Sequence, residues 1–199
     1  MKLRNIFIKK VLWVCLGLIF LFWAYNPALA INALISDLKV ANTPEAIIIS
    51  TKLQVPFEGK IDETIHSGID TTFIFKLDLL RERTFWFDEK IASREVTHTV
   101  KYDTLSKQYA LQIGNTDNIH SLGTNDFEEV KQLMTNLSGI RLVPLKKITL
   151  KDNYYVRVRA KMEAIEMPFP LGYIPFVASF REFETPWAVM PLSASQHMP

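Results

Sequence analysis

The chain has 199 residues, with 23 lysines and arginines against 21 acids and a formal net charge of +2. Four of the cations, Lys2, Arg4, Lys9 and Lys10, stand in the first ten residues, and without residues 1–30 the balance is 19 against 21, a net of −2. That excludes a basic nucleic-acid footprint, since Lys146-Lys147 with Lys151 is too short a cluster to make one, and because the only cysteine is Cys15 the rest of the chain is also barred from disulfides, thiolate metal sites and cysteine nucleophiles.

The basic start is followed by an apolar run from Val11 to Tyr25 and then by Asn26-Pro27-Ala28-Leu29-Ala30. This is the layout of a secretory signal, with Pro27 ending the apolar helix and Ala28 and Ala30 as the small residues of a cleavage box. Cleavage is expected after Ala30. Retention as a membrane anchor through residues 11–30 is the other outcome, because a run of about 20 mostly apolar residues can span a bilayer. The cations before it place its N-terminus inside, so that the remainder lies outside in either case. A lipoprotein signal at Cys15 is disfavoured by Trp13 and Val14 ahead of it and by the apolar run continuing past it.

Period-two alternation dominates the rest, which predicts half-buried strands. Strands are expected at Leu34–Ala41 and Ala46–Val55, separated by Asn42-Thr43-Pro44, whose proline interrupts a ladder. Ile47–Ile49 is a continuous apolar run that predicts burial on both faces. A short helical turn is expected over Asp62–His66, stopped at Gly68. Between Thr71 and Leu80, Phe73, Phe75, Leu77 and Leu79 share one face and Lys76 and Asp78 the other. Val96, His98, Val100 and Tyr102 alternate with polar neighbours, as do Tyr109, Leu111 and Ile113. The connector Asp103-Thr104-Leu105-Ser106-Lys107 makes the two runs a hairpin.

One segment has a helical period: Phe127, Val130, Leu133, Met134 and Leu137. Asn125 with Glu128 reads as its capping box and Gly139 as its left-handed stop. Leu142–Leu150 predicts an irregular strand interrupted by Pro144. Asp152-Asn153 then turns into Tyr154–Met162, where Val156, Val158, Ala160 and Met162 oppose Tyr155, Arg157, Arg159 and Lys161. From about Ile165 the chain is rich in proline and aromatics, including Phe169, Tyr173, Phe176, Phe180, Phe183 and Trp187. A disordered tail would be poor in aromatics, so this stretch is expected to pack in extended form as core cover. An exposed apolar strip for a partner is the alternative.

The string Arg83-Thr84-Phe85-Trp86-Phe87-Asp88-Glu89-Lys90, followed by the Tyr102–Tyr109 hairpin, resembles the bacterial family DUF4390. An exported leader, Ser67-Gly68 before an aromatic strand, the single helix and a closing Phe183-Glu184-Thr185-Pro186-Trp187 fit the same pattern, over roughly residues 35–190. The resemblance implies an exported or membrane-anchored β-rich protein of the Gram-negative periplasm. Some members are encoded beside a membrane sensor kinase, which implies an inner-membrane partner. It carries over no catalytic residue.

Motifs for chemistry are missing. His66, His98, His120 and His197 form no local metal motif, and His98, on an inner strand face, reads as a hydrogen-bonded structural histidine. No Gly-x-Ser-x-Gly elbow, Ser-x-x-Lys set or glycine-rich phosphate loop occurs. Asp88 and Glu89 are adjacent on a strand and point to opposite faces, while Glu128 and Glu129 suit the positive end of the helix dipole. The Phe85–Lys90 box is the segment with a special role. Its structural reading sets Phe85 and Trp86 against the core, with Asp88 and Lys90 bound to backbone or to one another. Its binding reading joins Trp86 to Arg81 and Arg83 as an aromatic and cationic surface, with Asp88 and Lys90 beside it.

The sequence therefore predicts a mainly β, sandwich-like domain of antiparallel sheets with one packed helix over residues 31–192, a leader at 1–30 and a frayed tail at 193–199. No cofactor or metal is expected. The function expected is a non-enzymatic envelope binding or accessory module. A periplasmic partner of a membrane sensor, a hydrolase acting on an envelope polymer, and a binder of apolar ligands behind Phe73, Phe75 and Tyr109 are the alternatives.

Overall fold

The computed structural model describes residues 32–115, 118–145, 148–149, 152–163 and 183–192. The leader expected over residues 1–30, most of the proline- and aromatic-rich stretch, and the tail after Leu192 lie outside the described residues. The described chain runs β1 (Leu34–Asn42), β2 (Ala46–Gln54), α1 (Lys60–His66), β3 (Thr71–Arg81), β4 (Glu89–Asp103), β5 (Gln108–Asn115), β6 (Asn118–Thr124), α2 (Phe127–Thr135), β7 (Asn136–Pro144), β8 (Tyr154–Glu163) and β9 (Ala188–Pro191). The strands form two antiparallel sheets, a three-stranded one ordered β1-β2-β7 and a six-stranded one ordered β6-β5-β4-β3-β8-β9. The fold is thus mainly β with two helices.

Alternation explains the large sheet. Phe73, Phe75, Leu77 and Leu79 on β3 and Val156, Val158 and Ala160 on β8 are all fully buried, and pairings such as Phe75↔Ala160 and Phe75↔Val96 stack them on one face. Ile47, Ile49 and Leu53 from β2, Leu137 and Leu142 from β7, Ile61 and Ile65 from α1, and Val130 and Met134 from α2 join the same core cluster. Each such side chain contributes about 1.5–3 kcal/mol by leaving water. Ile48 is only half-buried, so β2 has one buried face rather than the two that its apolar run predicts.

Three expectations are corrected around α2. Its N-cap is Asp126, whose carboxylate accepts from the Glu128 N–H at 2.9 Å, not Asn125. The helix ends at Thr135, before Gly139, because Asn136 turns extended and pairs with Lys52. Gly139, at φ 69, lies inside β7 instead. The tertiary pairing with β2 draws Leu137, at the end of the helical pattern, into a strand. The strand expected over 142–150 is accordingly shifted back, ending at Pro144, where a ladder donor is missing.

The strand β6 has no counterpart in the sequence reading, since Asn118–Thr124 shows no apolar alternation and lies largely exposed. Its hairpin to β5 rests on Gly114, whose φ is 155 and where an added Cβ would stand 1.9 Å from the Asn118 carbonyl oxygen. Gly114→Ala is expected to cost about 1–3 kcal/mol as an overpacking change. Hydrogen exchange should show that cost as faster exchange of the β6 amides, with those of β3 unchanged; unaltered β6 protection would refute it.

The domain has two opposite poles. Arg81, Tyr154 and Leu192 lie at one, where the Leu192 N–H donates to the Tyr154 carbonyl at 2.8 Å. Asn32 and Leu34 lie at the other, beside Phe57, Lys131 and Thr135, with Phe57 6.0 Å from Phe73 near the start of β3. Strand rise puts about 25 Å between Phe73 and Arg81.

Candidate functional site

Strands β3 and β4 are joined at the Arg81 pole by residues 82–88, and an ion-paired base holds this loop. The Glu82 N–H donates to the Asn153 carbonyl at 2.9 Å. The Arg83 N–H donates to Asp88 Oδ1 at 3.3 Å, and the Tyr155 hydroxyl donates to Asp88 Oδ2 at 2.7 Å. Arg81 Nη1 donates to Asp152 at 3.0 Å, while Arg81 and Arg83 both donate to Glu89 Oε2. Hydrogen bonds from Arg83 and then Arg81 hold the Glu89 carboxyl below its usual range. The Asp88 hydrogen bond, helped by burial, raises the Tyr155 hydroxyl.

On that base stand three consecutive aromatics, Phe85 at 96% exposure, Trp86 at 74% and Phe87 at 87%. The rings of Trp86 and Phe87 meet edge to face at 6.4 Å. This overturns the structural reading of the box, because neither Phe85 nor Trp86 touches the core. A seven-residue connector between two strands already paired to Arg81 and Glu89 leaves them no path inward. The surface is also not cationic: Arg81 and Arg83 are neutralised by Glu89 and Asp152, and Lys90 reaches Asp78 at 3.3 Å. Asp88 binds backbone, as the box predicts, but not Lys90. Of the five residues singled out in sequence, Trp86 alone points outward unengaged by polar partners; Arg81, Arg83, Asp88 and Lys90 build the support.

Sequence reasoning misses the deeper part of this support. Asp78 is fully buried on the outer face of β3, accepting from Ser93 at 2.6 Å and from Arg157 at 2.9 and 3.0 Å. Burial pushes its carboxyl up, but the hydrogen bonds from Ser93 and Arg157 and the charge of Lys90 outweigh that and hold it below the usual range. Trp187 lies over the guanidinium groups of Arg157 and Arg159, at 4.2 and 4.6 Å from the ring centre. An acid placed among polar outer-face positions was the available signal; its partners on β4 and β8 become visible only with strand order.

A concavity lies where β4, β5 and β6 face α2 and β7, a cleft of about 730 Å³. Val96, Ile113, Leu133, Leu137 and Ile140 make its apolar wall, and Arg94, His120, Glu129 and Arg141 its polar rim. His98, at 1% exposure, borders it, and its Nδ1 lies 3.2 Å from the Met134 carbonyl, so the ring is the Nδ1–H tautomer. Burial lowers its pKa against the pull of the Met134 and Leu133 carbonyls. A depressed histidine pKa means that the unfolded chain binds the extra proton first. Its stabilisation is complete above about pH 6.5 and falls as the pH drops from there toward the folded value. Denaturant midpoints should decline from pH 6.5 to 5 more steeply for the native chain than for His98→Gln; equal slopes would refute the assignment.

The alternative of an apolar-ligand cavity behind Phe73, Phe75 and Tyr109 meets rings there instead: Phe57 at 6.0 Å and Phe183 at 5.4 Å from Phe73, His98 at 5.1 Å from Phe75, and Phe127 stacked at 5.6 Å on Tyr109. The remaining described histidine, His66, meets the Tyr109 hydroxyl at 2.7 Å. His197 lies outside the described residues. Among the described residues no three metal-ligating side chains converge, and no helix is long and apolar enough to cross a membrane.

No curated protein and no solved structure matches the chain. A family model does, over residues 30–191, most of the chain. The exposed Phe-Trp-Phe tip on its ion-paired base is therefore a feature of a chain that belongs to the family described as domain of unknown function DUF4390.

Proposed function

We propose that this chain is an exported, non-enzymatic binding module of the bacterial envelope, and that the Phe85-Trp86-Phe87 tip is its docking element for the extracytoplasmic part of an inner-membrane protein. The observation that carries this is the near-complete exposure of three consecutive aromatics on a base whose charges are internally paired. Three such side chains offer about 500 Å² of apolar surface, the size of the largest patches that soluble monomers expose. Aromatic anchors of this kind dominate binding energy when a partner pocket desolvates them. The paired base limits the ordering cost on binding, since the support is already fixed.

A protein partner is favoured over the bilayer by the charges at the foot of the tip: Arg81, Arg83 and Lys90, the cations that would meet anionic headgroups, are already paired with Glu89, Asp152 and Asp78. The leader and the family resemblance support the envelope setting. The hydrolase reading has less support. The cleft is concave and partly polar, yet among the described residues no serine or threonine hydroxyl reaches His98 or His120, and His98 bonds to backbone carbonyls.

The test is a photo-crosslinking residue at position 86 of the full-length chain in intact cells. A discrete inner-membrane protein adduct is expected, absent when the same residue stands at Leu105, which is 94% exposed at the far pole. Lipid adducts alone, or the same products from both positions, would overturn the reading.

A further inference from the structure

Six arginines lie among the described residues, and five of them are ion-paired: Arg81 and Arg83 with Glu89, Arg141 with Glu45, Arg157 with Asp78 and Arg159 with Glu184. Arg94 is the exception. Its side chain makes no ion pair or hydrogen bond among the described residues, although it is half-buried on the inner face of β4, in line with Val96 and His98, and lines the cleft between the sheets. Taking a guanidinium part-way out of water without a counter-ion costs free energy. An anion that enters the cleft would offset that cost.

Strand register fixes the end of the cleft at which Arg94 stands. On β4 it precedes His98 by four residues and Tyr102 by eight; Tyr102 pairs with Tyr109, and Tyr109 with Thr124. Glu129, the one acid on the cleft wall, accepts from the Thr124 hydroxyl, at the Tyr102 level. Strand rise separates that level from Arg94 by roughly 25 Å. The opposite wall runs the same way: Phe127 stacks on Tyr109, the Met134 carbonyl meets His98, and Arg141 follows farther along. Both arginines therefore lie toward one end and the acid toward the other. Arg141 holds Glu45 only at 3.7 Å, with both side chains more than two-thirds exposed, a loose pair that leaves it able to meet a second anion.

The lining away from the two arginines is mainly apolar. Val96 and Ile113 from the large sheet face Leu133, Leu137 and Ile140 from α2 and β7. The volume of about 730 Å³ falls within the ~300–1,000 Å³ of small-molecule sites. An apolar trough with a cationic end matches a molecule divided in the same way.

We propose that this cleft binds a single-chain amphipathic anion: an alkyl tail lies along Val96, Ile113, Leu133 and Leu137, and a carboxylate or phosphate head accepts hydrogen bonds from the Arg94 guanidinium, with Arg141 beside it. Burial of the tail supplies affinity. The guanidinium, which meets such heads with two parallel donors, supplies selectivity. No residue of the cleft belongs to the Phe85-Trp86-Phe87 tip or to its base, so the site does not depend on the docking reading.

The experiment titrates the full-length chain by calorimetry with micromolar dodecanoate, dodecyl phosphate, dodecanol and dodecyltrimethylammonium, which share one tail. The two anions are expected to bind about tenfold or more tightly than the alcohol and the cation, and the tighter of the two names the head group. Dodecanoate should also slow amide exchange in residues 137–141 and not in β9. Arg94→Gln should bring both anions to the dodecanol level with the melting temperature unchanged. Uptake by the basic and apolar residues 2–25 would be indifferent to Arg94→Gln and would leave residues 137–141 unprotected. The head-group preference and the protection pattern are read on the native chain, so an early-melting variant does not decide the outcome. Dodecanol binding as tightly as dodecanoate, no protection of residues 137–141, or a folded Arg94→Gln chain that keeps the native preference would each overturn the proposal.

Discussion

Asp78→Ala is expected to destabilise the domain by about 2–3 kcal/mol, the upper range for losing hydrogen bonds to a buried charged group, since the cations left behind, Arg157 and Lys90, keep 28% and 45% of their side chains in water. The carboxylate is fully buried, and its loss strands the Arg157 guanidinium and the Lys90 ammonium without their shared counter-ion. It also takes the acceptor from the Ser93 hydroxyl. Because a domain of this size has a total stability of about 5–15 kcal/mol, the melting temperature should fall by roughly 10 °C. The folded pKa of Asp78 is depressed, so its stabilisation is fully present above the ordinary carboxylate range and is lost as pH falls through the folded value. The native and variant chains should therefore converge in stability under strongly acid conditions. Replacing Asp78, Lys90 and Arg157 together by apolar residues of similar volume should recover most of the loss, because an ion cluster swapped as a whole is often neutral. Chemical denaturation of the three forms checks all of this, and a cost below about 1 kcal/mol for Asp78→Ala would show that the network does not hold the sheet.

The tip should respond in the opposite way. Phe85→Ser, Trp86→Ser and Phe87→Ser combined are expected to leave stability nearly unchanged, each within about 0.5 kcal/mol as for ordinary surface substitutions, because the rings touch no core residue. Crosslinking to the proposed membrane partner, read from a photo-reactive residue at the exposed Thr84 beside the tip, should instead fall by about 30-fold or more, the equivalent of losing at least one aromatic anchor worth about 2 kcal/mol. Arg83→Gln should have an intermediate effect, since one of the two cations on Glu89 remains. Should the triple variant melt well below the native chain, the aromatics are packing groups and the docking reading fails. Should it melt normally and crosslink normally, they are bystanders.

Much of the fold is legible in the residues because alternation is a local property. Phe73 to Leu79 and Val156 to Met162 state their buried face without reference to any other strand, and Lys76 and Asp78 state the other. The α2 pattern is equally plain up to Thr135. Beyond it, Leu137 satisfies the helical period and the strand period alike, and the competition is decided by β2, far off in sequence, which offers Asn136 a partner at Lys52. β6 is illegible for a different reason. A strand whose faces are both exposed has no apolar alternation to show, and it exists because β5 pairs with it and Gly114 admits the Asn118 carbonyl.

For the candidate site, the residues alone mark out the Phe85–Lys90 box as unusual by its density of aromatics and charges, and they show that no catalytic motif accompanies it. Whether those aromatics face the core or the solvent is a tertiary matter. Composition is the same in both cases, and the direction follows from Arg81 and Glu89 being registered against each other with only a short connector between them. The roles of the charges are decided in the same way, since Asp152 reaches Arg81, Tyr155 reaches Asp88 and Arg157 reaches Asp78 only through the pairing of β3 with β8. Sequence by itself thus determined the family, the β character and the segment of interest. Tertiary structure alone decided that the segment's cations are spent on support and its rings are left in water, because ion pairing and exposure depend on neighbours that alternation cannot name.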